Sequence, residues 1–341
     1  MSQRVAFVFP GQGSQSVGMG ADVYQASPAA RRVFALADEA LGFSLSTLCF
    51  EGPETALRET INTQPAIVAT SLALLAALQE SAGAGPSAAD PLHGPLIPAF
   101  VAGHSVGEYA AVAASGALGV ADALRLVRER GRLMHEEGLR CPSGMAAVLG
   151  MDSATLESIC AEATEKARAN LSASDLAEHP GAGRVVVAND NAPGQIVISG
   201  ERYALALAME LARVQGAKRV VPLAVSGAFH SPVMAPAADA LTVAVAAAPI
   251  VEPRTPIVAN ITAEPITTAT DLRRELAQQI VSPVQWTQTV ENLAANGIET
   301  FVEIGAGQVL AGLIKRIAKG ATILSVGSSA DAVAVAGRLL A

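Results

Sequence analysis

Charge and aromatic residues are both scarce in this chain. Of its 341 residues only 16% are charged and 4% are aromatic, with a single tryptophan. Hydrophobic residues reach 51%, many of them alanine, so the chain can bury a sizeable core and is not a disordered segment. The three cysteines, Cys49, Cys141 and Cys160, are scattered, with no Cys-x-x-Cys pair. That spacing argues against a disulfide framework or a zinc site and suits a reducing compartment. Long apolar runs are missing too: the longest, Ala66 to Leu78, falls short of the roughly 20 residues that span a bilayer. The opening MSQRVAFVFPGQGSQ has too few apolar residues before its Pro-Gly break for a signal-peptide core. These absences predict a cytoplasmic protein with no membrane partner. A net charge of −8 disfavours nucleic acid as a partner. No metal-ligand constellation stands out. Gly11-Gln12-Gly13 lacks the third glycine and the downstream acid of a dinucleotide fingerprint, so no permanently bound cofactor is expected.

The chain divides into three segments. Residues 1–137 open with a β-like run, Arg4 to Phe9, followed by helical patterns over Pro28–Leu41 and Pro65–Gln79. A Pro/Gly/Ala-rich stretch, Gly83 to Pro95, predicts an exposed loop before a buried strand over Leu96–Ala102. Residues 138–225 have a rhythm of their own. Strands are expected at Gly144–Gly150, Arg184–Asn189, Gln195–Ser199 and Lys218–Val225. Helices are expected at Ser153–Ala169, with Ser153 as N-cap, and at Glu201–Gln215. That β-α-β-β-α-β order is ferredoxin-like. Residues 170–183 read as a polar loop. Residues 226–341 add strands at Pro256–Ala259 and Thr300–Ile304 and complete the first sheet. The expected fold is α/β: an α/β-hydrolase-like, mostly parallel sheet formed by 1–137 and 226–341, with an inserted ferredoxin-like small domain at 138–225.

Gly103-His104-Ser105-Val106-Gly107 falls between the Leu96–Ala102 strand and a helical Val106–Leu118. A Gly-x-Ser-x-Gly at such a turn is a nucleophile elbow, with the serine hydroxyl projecting where N–H groups of the helix start converge. A serine nucleophile needs a base. Of the five histidines, His93 and His179 fall in loops and His135 in a charged helix end. His104 adjoins the serine and supports the elbow. His230 follows a predicted strand and is the remaining candidate, on position alone no better than even. The carboxylates between serine and histidine, Asp152 and Asp190, both lie in the small domain, and neither makes a convincing third member.

Six motifs occur in order: Phe9-Pro10-Gly11-Gln12-Gly13-Ser14-Gln15, Gly103-His104-Ser105-Val106-Gly107-Glu108-Tyr109, Arg130-Gly131, Gly227-Ala228-Phe229-His230, Pro283-Val284-Gln285-Trp286 and Glu303-Ile304-Gly305-Ala306-Gly307. Together they resemble the malonyl-CoA:acyl-carrier-protein transacylase family of bacterial type II fatty acid synthesis, related to the acyltransferase domains of polyketide synthases. The likeness runs from about residue 4 to 327. Segments 84–98 and 170–183 look longer than the family's usual pattern.

The resemblance implies a set of roles. Ser105 carries the malonyl group as an ester, with His230 as its base. The backbone carbonyl of Gln279 orients His230 in place of a carboxylate, which leaves Asp152 and Asp190 as bystanders. The backbone N–H groups of Gln12 and Val106 form the oxyanion hole. Arg130 pairs with the malonyl carboxylate through its planar fork, although Arg125, Arg128 and Arg132 share its helix. Gln12, His104 and Phe229 complete the substrate site, Phe229 narrowing it. Lys218, Arg219, Lys315 and Arg316 are the candidates for docking an acidic carrier protein. The substrates implied are malonyl-CoA and acyl carrier protein, with CoA released, and the expected state is a monomer. Two other readings fit the elbow: a serine esterase or thioesterase, or a carrier-docking acyltransferase subunit of a polyketide or malonate-processing complex.

Overall fold

A computed structural model describes residues 4–84 and 90–341. Residues 85–89 of the longer segment expected at 84–98 lie outside the described residues. In chain order the strands are β1 (Val5–Phe9), β2 (Phe100–Gly103), β3 (Ser143–Leu149), β4 (Val185–Ala192) and β5 (Gln195–Glu201), then β6 (Arg219–Pro222), β7 (Ile257–Val258), β8 (Pro265–Ile266), β9 (Thr300–Ile304) and β10 (Thr322–Val326).

Six strands form the large sheet in the order β10-β9-β1-β2-β7-β8. All neighbours are parallel except the β7–β8 pair. β1 and β9 are buried along nearly their whole length, as expected of strands covered by helices on both faces. The register sets Phe9 opposite Gly103, so the turns after β1 and β2 emerge side by side at the carboxyl edge of the sheet. In open α/β sheets that edge is where ligands bind.

The other four strands form an antiparallel sheet, order β4-β5-β3-β6. The helices Ser153–Ala169 and Arg202–Val214 pack on it around Leu156, Ile159, Leu205 and Ala208. This is the ferredoxin-like arrangement. The helix before it runs to Arg140, past the expected break at 137. The N-cap of the helix Ser153–Ala169 is Asp152, whose Oδ1 accepts from Thr155 N at 2.8 Å, in place of the expected Ser153. The two sheets are laced together. Val284 N donates to Ala188 O at 2.8 Å and Asp190 N donates to Val284 O at 3.0 Å.

The helix Thr60–Ser81 starts five residues before the expected Pro65. It is long and apolar enough to cross a membrane, but 89% of its apolar window is buried inside the fold. Pro65 lacks the N–H that would reach Ile61 O four residues back. Arg128 supplies the missing donor, its Nη1 reaching Ile61 O at 2.6 Å. Arg128 belongs to the neighbouring helix Val120–Arg140, which Gly131 lets approach: a Cβ there would meet Thr60 O at 3.0 Å.

Residues 170–183 are not all loop. They include the helix Ala173–Glu178, closed by a capping box of Ser172 and Asp175.

Candidate active site

Ser105 sits in the turn between β2 and the helix Gly107–Ala114, with φ at +51°. A non-glycine residue in the left-handed region is strained and persists only where its surroundings fix it. Both flanking glycines are forced by space. A Cβ on Gly103 would lie 2.0 Å from the Gly107 carbonyl carbon, and one on Gly107 would lie 2.2 Å from Phe9 O. The turn is held at both ends of its peptide. Ser105 N donates to Asn260 Oδ1 at 2.7 Å, and Ser105 O accepts from Gln279 Nε2 at 3.0 Å.

His230 also has a positive φ, +58°, and its side chain is buried. Its Nδ1 faces two carbonyl oxygens, Gln279 O at 2.9 Å and Ser282 O at 3.1 Å. Acceptors on that side require the proton on Nδ1, which leaves Nε2 as an acceptor. Nε2 lies 2.7 Å from Ser105 Oγ. Burial first, then the nearby Arg130 charge, push the imidazole down to about 3. It is therefore a neutral acceptor throughout the neutral range.

Arg130 reaches the same hydroxyl. Nη2 donates to Ser105 Oγ at 3.2 Å and to Gln279 Oε1 at 2.7 Å, while Nη1 donates to Gln64 Oε1 at 2.6 Å. Its side chain is only 1% exposed, and among the described residues no carboxylate lies within ion-pair distance of it. Its partners are neutral. Burial lowers its pKa for the same reason. Three of its five N–H donors are occupied, and Nε has no partner. The site thus holds a buried positive charge with donors to spare, beside a hydroxyl bonded to a neutral imidazole. Chemically it suits attack on an acyl group that carries a remote anion.

These groups face a cleft of about 380 Å³. Gln12, His104, Met134, Asn189, Asn191 and Phe229 share its walls with Ser105, Arg130 and His230. Val106 is the N-cap of its helix, so its N–H points from a free helix end. Gln12 lies on the adjoining turn after β1. His104 Nε2 donates to Asn191 Oδ1 at 2.7 Å, and the ring meets Trp286 edge-on; burial lowers its pKa. Asp152 caps its helix and Asp190 takes the Thr287 hydroxyl at 2.6 Å; neither lines the cleft. His135 and His179 lie outside the cleft. His135 is half-buried, and His179 Nε2 sits 2.7 Å from the buried Glu137.

The four basic docking candidates are all exposed and lie outside the cleft. Arg316 bonds Pro193 O at 2.7 Å at the β4–β5 turn, and the Lys218 stem covers Gly150 beside that turn. Lys315 instead faces a groove shared with Arg338. Sequence reasoning missed Asn260, Gln64, Asn189 and Asn191. Nothing marks an isolated amide when its partner lies tens of residues away.

The acyl transferase domain family matches residues 6–339 of this chain. The chain is similar to the malonyl CoA-acyl carrier protein transacylase of Bacillus subtilis, 43% identical over 92% of this chain and 90% of that one. Its structure is similar to acyl-carrier-protein S-malonyltransferase from Bartonella henselae, with a TM-score of 0.88 and 38% identity, covering 99% of this chain and 100% of that one. A malonyl-transacylase solved in complex with a type II polyketide acyl carrier protein is similar at a TM-score of 0.86 and 35% identity, over 98% and 100% of the chains.

Proposed function

The chain belongs to the malonyl-CoA:acyl-carrier-protein transacylase family, and we propose that it moves malonyl from CoA to the carrier-protein thiol for fatty acid synthesis, through an ester on Ser105. One observation carries the reading: the buried guanidinium of Arg130, with neutral partners only, 3.2 Å from the Ser105 hydroxyl. An uncompensated buried cation is expensive unless a ligand supplies the anion. The free carboxylate of a malonyl group supplies it and takes the unoccupied N–H groups of Arg130.

In the first half-reaction His230 Nε2 accepts the Ser105 proton while Oγ attacks the thioester carbonyl carbon. The N–H groups of Val106 and Gln12 receive the developing oxyanion, each such donor contributing about 3 kcal/mol. The C–S bond then breaks, and the CoA sulfur leaves with the proton from His230. In the second half His230 takes the proton of the carrier thiol, whose sulfur attacks the ester, and returns it to Ser105. Gln279 and Ser282 hold the imidazole tautomer through both halves. Every group on this route comes from one chain, which supports action as a monomer. Three free, buried cysteines fit a cytoplasmic setting.

Intact-mass measurement after brief exposure to malonyl-CoA tests the reading. One malonyl group should add to the wild type and none to Ser105→Ala. A wild type that gains no mass, or a Ser105→Ala variant that does, overturns it.

A further inference from the structure

Behind Ser105 lies a pair of acids that the transfer chemistry does not use. Glu108, on the helix that starts at the elbow, and Glu275, on the helix Ala269–Gln278, are both buried, and their carboxyls take the N–H groups of the consecutive residues Asn260 and Ile261, which sets them side by side. Two buried carboxyls side by side disfavour a double negative charge, so the pair holds a proton. Their lone pairs grip the site. Glu108 Oε1 accepts from Asn260 N at 3.0 Å, and Glu275 Oε1 accepts from Ile261 N at 3.0 Å. Glu108 Oε2 accepts from Gln279 Nε2. Asn260 and Gln279 are the two side chains that hold the N–H and the carbonyl of Ser105, and Gln279 also holds Arg130. The pair is the common root of every clamp on the strained serine.

We infer that Glu275 is a positioning residue for acyl transfer: by sharing one proton with Glu108 it fixes Asn260 and Gln279, and through them the Ser105 backbone and Arg130. The inference rests on Ser105 being the acylated group. Glu275 also lines a cleft of about 510 Å³ on the far side of the helix, with Thr262, Glu264, Asp271, Arg274 and Ser282. The pair therefore exchanges its proton with solvent there and not through the substrate cleft. Burial holds both carboxyls above the usual carboxylate range, Glu275 at about 7 and Glu108 well above the ordinary value. The other ionisable groups facing the pair are Arg130 and Tyr109 on the serine side. In the rear cleft they are Glu264, Asp271 and Arg274, and Arg274 is paired with Asp271. Neither cation forms an ion pair with Glu108 or Glu275 within the described residues. Removal of the shared proton would set two like charges side by side behind the nucleophile.

The test compares full-length wild type, Glu275→Gln and Glu275→Ala by the pH dependence of kcat/KM for malonyl-CoA. The rate of Ser105 labelling by a fluorophosphonate, which needs no malonyl group, is followed in parallel. Wild type should show an alkaline decline in both. Glu275→Gln, which keeps a hydrogen bond and cannot charge, should match wild type within about twofold at neutral pH and move that decline up by a pH unit or more. Glu275→Ala should lose about tenfold in kcat with KM for malonyl-CoA nearly unchanged, the pattern of a misplaced nucleophile. Superimposable wild-type and Glu275→Gln profiles overturn the inference, as does an undiminished kcat in Glu275→Ala. Should Glu275→Ala fail to fold, the Glu275→Gln profile decides alone. Labelling of Ser105 with no malonyl ester would instead sink the transferase reading and leave the labelling profiles to judge Glu275.

Discussion

Arg130 Nη2 and His230 Nε2 both reach the Ser105 hydroxyl, at 3.2 and 2.7 Å. The hydroxyl donates to the imidazole and accepts from the guanidinium, so one oxygen is both aimed and electrostatically prepared before any substrate arrives. The same cation that would bind the acyl carboxylate also depresses the pKa of the base.

Arg130→Ala separates these effects. Each charge-assisted hydrogen bond is worth about 1.5–3 kcal/mol, so kcat/KM for malonyl transfer should fall by about 100-fold or more. Acetyl transfer, which has no carboxylate to place, should be equal or improved. Competing assays with the two acyl-CoA thioesters check this, and equal losses would remove Arg130 as the clamp.

The depressed His230 has a pH signature. Its pKa lies near 3 when folded and at the ordinary imidazole value of 6.5 when free. The base therefore stays competent well below pH 6.5, and kcat/KM should hold within about twofold from pH 5 to 7. Stability behaves oppositely. As pH falls from 6.5 towards 3 the unfolded chain takes up the proton first, so His230 progressively destabilises the fold. The melting temperature of His230→Gln relative to wild type should rise over that window. A pH-independent difference would contradict the buried neutral imidazole.

Asn260 is predicted to matter as much as a residue that touches substrate. Asn260→Ala strips the Ser105 N–H and the Gly103 carbonyl of partners 2.7 Å away. A buried group left unpaired costs about 1–3 kcal/mol. A displaced nucleophile can lose up to about 100-fold in rate. Denaturant titration and single-turnover acylation measure the two parts, and wild-type acylation in the variant would refute the clamp.

The helix junction that carries Arg130 gives a double-mutant cycle. Arg128→Ala should destabilise by about 1–2 kcal/mol by orphaning Ile61 O. In a Pro65→Ala background residue 65 supplies its own N–H, so the same change should cost less. Full additivity in urea unfolding would show that Arg128 does not serve that carbonyl.

The sequence revealed local patterns far better than long-range polar contacts. The helix Pro28–Leu41 and the strand Thr300–Ile304 form as predicted because periodicity and caps within each segment decide them. The start of the Thr60–Ser81 helix was hidden because proline favours the first helical turn, whereas here Arg128 compensates for Pro65 deeper inside. β8 is only two residues long, and the TILSV run of β10 is as apolar as the helices flanking it, so neither stands out. Ser105, His230 and Arg130 sit in recognisable motifs and meet at one hydroxyl. Gln64, Asn260 and Glu275 do not, because an amide or acid declares its purpose only when the fold presents its partner.

The exchange of backbone hydrogen bonds between Val284 and β4 bears on how the cleft can discriminate among acyl groups. Asn189 and Asn191, on one wall, ride on the strand that this exchange rivets to the segment carrying Ser282 and Trp286, behind the other wall. The two walls are consequently stitched together along that edge. Acyl preference then answers to the outline of the cavity and its buried charge, and side chains such as Phe229 and Met134 are the places to recarve it.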